Sequence, residues 1–199
     1  MEKNVKYFGV KYFGASLILI ALIFSASFYS YNVGLQVGQL EHPLLKGYVT
    51  IDVVRDGVLI FHEEGPNTIT TIGFDYVQDM IGDNSSTIVN RACWIGASNS
   101  SSSPAVSWTF LPGQFNNTAS QGNGLGRAKG TYTRTSATEW TLSKQFTASE
   151  AIASVQLAGL FWDASAHDNC LLCAKSFTAV TLAANDQITI TWTLSLSQG

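Results

Sequence analysis

The chain has 199 residues, 46% of them apolar and only 13% charged, with 11 basic against 14 acidic side chains and a net charge of −3. That length holds one domain with a sizeable core, or a small pair, with one expected, and the acidic balance argues against a nucleic-acid partner, for which a basic stripe is expected. Low charge with abundant Ser, Thr, Gly and Asn and five Trp is the composition of an exported all-β protein kept soluble by hydroxyls and amides.

Residues 1–30 read as a signal peptide or an N-terminal membrane anchor. Lys3, Lys6 and Lys11 form a basic start, and no charged residue occurs from Tyr12 to Tyr31. A run of about twenty uncharged residues can span a bilayer. Its strongly apolar centre, Leu17 to Phe24, instead has the length of a signal-peptide core, and Ser25-Ala26-Ser27 supplies small residues for cleavage. Retention is the other reading, with Tyr29 and Tyr31 at the interface. Either way the lysines stay inside, the chain contacts the membrane at least transiently, and the remainder is extracellular or on the cell surface. A prepilin leader fits less well, because Gly14 follows Tyr12-Phe13 with no basic residue at the junction. Residues 1–27 carry three lysines and one glutamate, so without them eight basic residues face thirteen acidic ones, a net charge of −5.

Residues 31–46 form an extended strand or linker. In Tyr31-Asn-Val33-Gly-Leu35-Gln-Val37-Gly-Gln-Leu40 the bulky residues alternate with Asn32, Gly34, Gln36 and Gly38, which is a strand pattern. A tethered period-two segment can complete a neighbour's sheet, since the ladder bonds and alternate side-chain pockets are the same either way. Val33, Leu35, Val37 and Leu40 are therefore the candidate donor-strand residues, and the implied partner is another copy of the chain.

Residues 47–199 are expected to form the main domain. Gly47 to Val54 and Val58 to His62 flank Arg55-Asp56-Gly57, a tight hairpin turn, and Glu63-Glu-Gly-Pro66 closes the unit. The period then changes. Ile69, Ile72, Tyr76, Val77, Met80 and Ile81 fall on one face of a short helix, capped by Thr or Asn and stopped at Gly82-Asp-Asn-Ser85. A short strand at Ala92 to Ile95 precedes a polar loop, Gly96 to Pro104, and Gly113 to Gly126 is a second loop whose Gly122-Asn-Gly-Leu-Gly126 reads as a flexible tip. Strands follow at Arg127 to Thr135, Trp140 to Phe146, Ser154 to Trp162, Cys173 to Phe177 and Gln187 to Leu196. In the last, Ile188, Ile190, Trp192, Leu194 and Leu196 share one face and Thr189, Thr191, Thr193 and Ser195 the other. Many short strands, Gly/Ser connections and one helix predict an all-β fold, a β-sandwich or jelly-roll, with Trp94, Trp140, Phe146, Phe161, Phe177 and Trp192 inside.

Gly65-Pro-Asn-Thr-Ile-Thr-Thr-Ile-Gly-Phe-Asp-Tyr-Val77, Cys93-Trp-Ile-Gly-Ala97, Gly126-Arg-Ala128, Ala158-Gly-Leu-Phe161, Ala174-Lys-Ser-Phe177 and Asp186-Gln-Ile-Thr-Ile-Thr-Trp-Thr-Leu194 carry a resemblance. In order and spacing, over roughly Tyr48 to Ser197, they resemble a β-sandwich domain of virion and tail-associated structural proteins. The resemblance implies a fold and a structural role, not a site. An N-terminal membrane segment departs from that pattern and turns the reading toward a cell-surface or viral-envelope component. In organisation, the leader, alternating strand and Ser/Thr-rich domain resemble archaeal extracellular filament subunits assembled by donor-strand exchange.

Chemistry-bearing motifs are sparse. His167-Asp-Asn-Cys170-Leu-Leu-Cys173, with Cys93 upstream, supplies three thiols and an imidazole, half of a zinc site. In an exported domain a disulfide among Cys93, Cys170 and Cys173 is the commoner outcome, leaving one odd thiol. Asp75, Asp79 and Asp83 recur along one side of the helix and, with Asn84, could collect calcium, whereas a solvated face is the plainer account. His62-Glu63-Glu64 lacks a zincin's second histidine, the Gly-rich stretch lacks a P-loop's Lys-Ser/Thr, and His42, His62 and His167 nominate no base. An enzyme is not expected, and no cofactor is implied. Asn84, Asn99 and Asn116 head glycosylation sequons, which an Asn/Ser/Thr-rich chain also produces by chance. Trp108, Phe110 and Phe115, between the two polar loops, are a candidate platform for sugar rings or a host surface, against the reading of simple packing. The expected function is thus a subunit of an extracellular filament or surface assembly joined by strand donation. The alternative is an anchored or virion-associated binding module.

Overall fold

A computed structural model describes residues 44–82, 92–115, 123–164 and 169–197. The leader, the donor residues Val33, Leu35, Val37 and Leu40, and Asp83, Asn84, Asn116 and His167 lie outside the described residues. Among those described, the elements are β1 (Leu44–Arg55), β2 (Val58–Pro66), β3 (Thr68–Ile69), α1 (Thr71–Gly82), β4 (Trp94–Ser98), β5 (Ala128–Lys129), β6 (Thr131–Arg134), β7 (Glu139–Thr147), β8 (Ile152–Phe161), β9 (Leu171–Leu182) and β10 (Gln187–Ser197). They form two antiparallel five-stranded sheets, β2-β1-β10-β7-β6 and β3-β9-β8-β4-β5. The fold is mostly β with one short helix, as the alternating pattern predicts.

The β1–β2 hairpin turns where Asp56 (φ 51°) and Gly57 (φ 79°) both take left-handed backbone, the requirement of a tight turn matched to strand twist. Arg55 holds the neighbouring end of the sheet: its Nε donates to Asp186 Oδ1 at 2.9 Å and its Nη2 to Oδ2 at 2.6 Å. Asp186 also accepts from the Ala183 N–H at 2.7 Å, closing the β9–β10 turn.

β1 and β10 pair along their length, from Leu44 opposite Ser197 to Val54 opposite Gln187. Their inward residues Val49, Ile51, Val53, Ile188, Ile190 and Trp192 are fully buried, and they share one core with Ile95, Val155, Ala158 and Leu160 of the second sheet. The β10 face assignment therefore holds through Leu194, while the threonine face is half-buried and partly paired, Ser143 Oγ lying 2.8 Å from Thr191 Oγ1.

The predicted interior needs correction at two positions. Phe146, Phe161, Phe177 and Trp192 are buried, but Trp94 and Trp140 are only half-buried because they stand at strand beginnings. Two loop boundaries also move. β4 runs on through Gly96, Ala97 and Ser98, all buried, with the Ser98 hydroxyl bonded to the Pro112 carbonyl. The expected tip at Gly122–Gly126 is packed where it is described: Asn123, Leu125 and Gly126 are buried, and Ser149 N–H donates to the Asn123 carbonyl at 3.0 Å.

Helix α1 starts where Thr70, buried, accepts the Gly73 N–H on its Oγ1 at 3.0 Å, an N-cap bond. The same hydroxyl reaches the Leu171 carbonyl at 2.5 Å, fixing the helix start to β9. Gly73 faces the Leu172 carbonyl so closely that a Cβ would lie 2.2 Å from it. Tyr76, one turn on, is buried and stacks on Trp162 with ring centroids 4.6 Å apart.

Candidate functional site

The helix lies against the sheets with its apolar face only partly covered. Gly73 and Tyr76 are buried and Ile72 and Val77 half-buried, whereas Met80 is 37% and Ile81 84% exposed. Beneath this uncovered end opens a groove of about 630 Å³. Its floor is the inner face of the first sheet, with Leu45 of β1, Leu194 and Leu196 of β10, and Trp140 and Leu142 of β7. Tyr132 of β6 extends the floor beside Leu142, Val77, Met80 and Ile81 line the groove from α1, and Cys93, just before β4, and Lys129 of β5 line it from the second sheet. Leu196 and Tyr132 remain 44% and 60% exposed.

The volume is that of a ligand pocket, about 300–1,000 Å³, but such pockets orient their ligands with a few convergent polar groups. Among the described residues lining the groove, Lys129 is the one charged side chain. The groove can therefore take up apolar side chains and does little to select a polar small molecule. Beside it, β6 is an end strand of its sheet among the described residues, bonded there to β7 alone, and Thr131 to Arg134 are all exposed. A strand edge next to an apolar groove can bind an extended segment through its backbone and through every second side chain.

Sequence patterns alone do not bring these residues together. Met80 and Ile81 were placed on the helix's apolar face and Leu196 on the core face of β10, but their shared exposure at one end of the domain depends on where the second sheet stops covering the first. The usable signal was a helical apolar face reaching Ile81 immediately before Gly82-Asp83.

The cysteines do not form the expected disulfide: Cys93, Cys170 and Cys173 are thiols not bridged to one another. The Cys-x-x-Cys spacing implies a turn, yet Cys170 leads into a strand, where residues three apart are separated by about 10 Å, beyond disulfide reach. Cys173 points into the main core and Cys170 into a smaller cluster with Leu111, Leu157 and Phe161. Burial pushes both thiols upward in pKa, so neither is a ready nucleophile. Cys93 is half-buried at the groove wall.

Arg127, 9% exposed, is the structural centre of that smaller cluster. Its guanidinium lies 3.5 Å from the Phe161 ring centroid and donates to Gln114 Oε1 at 2.7 Å, the Asp163 carbonyl at 3.1 Å and Cys170 Sγ at 3.1 Å. The arginine ties the 99–115 segment to the second sheet. Burial lowers its pKa, opposed by the neighbouring thiol. At Cys170 burial outweighs the cation's pull, and the thiol pKa rises.

The aromatic platform is not assembled. Phe115 is 5% exposed in the main core, and Trp108 is half-buried against the smaller cluster, leaving Phe110 alone at 48%. The physical reason is that the Phe115 N–H bonds to the Ala97 carbonyl at 2.9 Å, drawing the segment onto β4. Asp75 and Asp79 are exposed on α1, and Asn99 is exposed just after β4. Among the described residues no group of three His, Cys, Asp or Glu side chains could hold a metal ion, and no helix is long and apolar enough to cross a membrane. His62 Nδ1 lies 2.6 Å from Asp52 Oδ1 on the exposed face of the hairpin, which raises the imidazole pKa.

No protein family, no curated protein and no solved structure matches the chain.

Proposed function

We propose that this protein is an exported structural subunit of a filament or surface assembly, joined to neighbouring copies by donation of residues 31–46. The observation that carries the reading is the exposed apolar groove under α1, bordered by β6, an end strand of its sheet among the described residues. A monomer leaving Ile81, Leu196 and Tyr132 in water keeps an apolar surface that association would cover. The alternating segment Val33, Leu35, Val37 has the period such a groove and edge require. Two sheets around one core are read as the β-sandwich expected from the sequence, and the resemblance to virion and archaeal filament subunits accords with the same role. The basic, then uncharged, N-terminal 30 residues are read as the export or anchoring signal.

Leu35→Asp tests the assignment. A buried, unpaired carboxylate is strongly unfavourable in an apolar groove, so the variant is expected to be exported yet to remain unassembled in sedimentation and negative-stain microscopy. Wild-type assemblies from Leu35→Asp would overturn strand donation.

A further inference from the structure

We infer that the folded domain itself carries a second contact between copies: the β1–β2 hairpin end of one copy seats at the mouth of the groove under α1 of the next, and copies stack head to tail. The inference goes beyond strand donation and uses no residue before Leu44.

The hairpin end is apolar on both faces. Val54 stands opposite Leu59 in the ladder and Arg55 opposite Val58, whereas Ile60 is left without a partner where the register shifts. An extra residue of this kind is a β-bulge, which bends its strand and re-aims the side chains beyond it. Leu59 consequently shares the outer face of the sheet with Val54, and Val58 falls on the core side with Arg55. Val53, one pleat back on that side, is fully buried, yet Val58 is 62% exposed. The hairpin end therefore projects past the cover of the second sheet, with Val58, Leu59 and Ile60 all in water.

A flat partner surface meets one face of such a projection, and a recess covers both. The same chain supplies a recess at its other pole. Leu45 of β1 lines the groove, and Arg55 ends β1 at the hairpin turn, roughly 33 Å away at the rise of an extended strand. Ile81, Tyr132 and Leu196 stand exposed around the groove mouth. Leu142 and Leu194, buried on the floor, are left to the donated segment. Charge is complementary as well. Arg55 is held by Asp186, and Asp56 presents an exposed carboxylate at the apex of the turn. Lys129 presents an exposed ammonium at the groove. Because projection and recess lie at opposite poles, the contact joins unlike surfaces, and each added copy leaves one of each free. The resulting chain is open-ended, as a filament requires.

Cysteines placed at the two poles test the contact. Val58→Cys and Ile81→Cys are made separately and together in the full chain, each with Cys93→Ser, and oxidised mildly with copper and air. Two thiols that meet each give a proton and an electron to oxygen as the bridge forms. The two positions stand too far apart for a bridge within one copy. Non-reducing electrophoresis is expected to show no bridge from either variant alone, dimers when the two are coexpressed, and a ladder of multimers when both substitutions share one chain. Dimers from one variant alone would mean that like surfaces meet, and would overturn head-to-tail stacking. Bridges from Val58→Cys to a chain of another mass would give the hairpin a different partner and overturn it equally. Assemblies that form without any bridge in the double variant would remove the hairpin contact and leave strand donation standing. Strand donation fails separately, when Leu35→Asp assembles as the wild type does.

Discussion

Gly73 shows how one missing side chain positions the groove wall. Alanine is the better helix former by about 1 kcal/mol, but its Cβ would stand 2.2 Å from the Leu172 carbonyl, a backbone atom that cannot rotate away. The clash outweighs the propensity. Gly73→Ala is expected to destabilise by about 1–3 kcal/mol in chemical denaturation, where propensity alone predicts a gain. Asp186 offers a second residue-scale outcome. The hydrogen bonds from Arg55 hold its carboxyl below the usual range, so its contribution is complete above the unfolded pKa of about 3.9 and is lost as pH falls through the lower folded value. Melting temperature is expected to drop more steeply below pH 4 in the wild type than in Asp186→Asn, which is less stable at neutral pH. A parallel pH dependence in both proteins would remove this role. In the sequence Gly73 fell within the helical pattern and Asp186 at the start of the last strand. Their partners were not visible there, because Arg55 and Asp186 stand 131 positions apart.

At the scale of elements, α1 separates what periodicity can tell from what it cannot. The 3.6-residue pattern gave the helix and its apolar face from Ile72 to Ile81, but it also took in Ile69, which stands in β3 opposite Cys173; of the Thr and Asn residues available to cap, Thr70 does so. The pattern did not give the extent of burial, which depends on the sheet beneath. Tyr76 is covered and Ile81 is not. Ile81→Glu is expected to leave monomer stability within about 0.5 kcal/mol, the usual range for an exposed position, while abolishing association in analytical ultracentrifugation. Unchanged association would show that the helix end takes no part in it. The same limit explains the cysteines. Cys-x-x-Cys resembles a turn until β9 extends the segment, and strand geometry then sends the two thiols to different clusters.

For the whole molecule, stability and assembly are predicted to be linked. If the groove is filled by another copy, the folded state is favoured by mass action, and melting temperature rises with protein concentration. A melting temperature constant over a hundredfold concentration range would indicate a self-sufficient monomer. Composition and alternation were enough to read an all-β chain with one helix, since the long strands carry their period locally; the single strand expected over Arg127 to Thr135 divides at Gly130 into β5 and β6, which belong to different sheets. The arrangement of ten strands into two sheets was not legible, because sheet order depends on pairings between distant segments such as β1 with β10.

The pairing of Leu44 with Ser197 brings both ends of the described domain to one pole, beside the groove. At the opposite pole lie the Asp56-Gly57 turn, the exposed Val58, Leu59 and Ile60, and the Ala183–Asp186 turn. A bulky label attached at Ser197 would therefore crowd the groove mouth at Leu45 and Leu196, whereas an epitope inserted at Asp56-Gly57 would decorate the far side and leave the groove untouched.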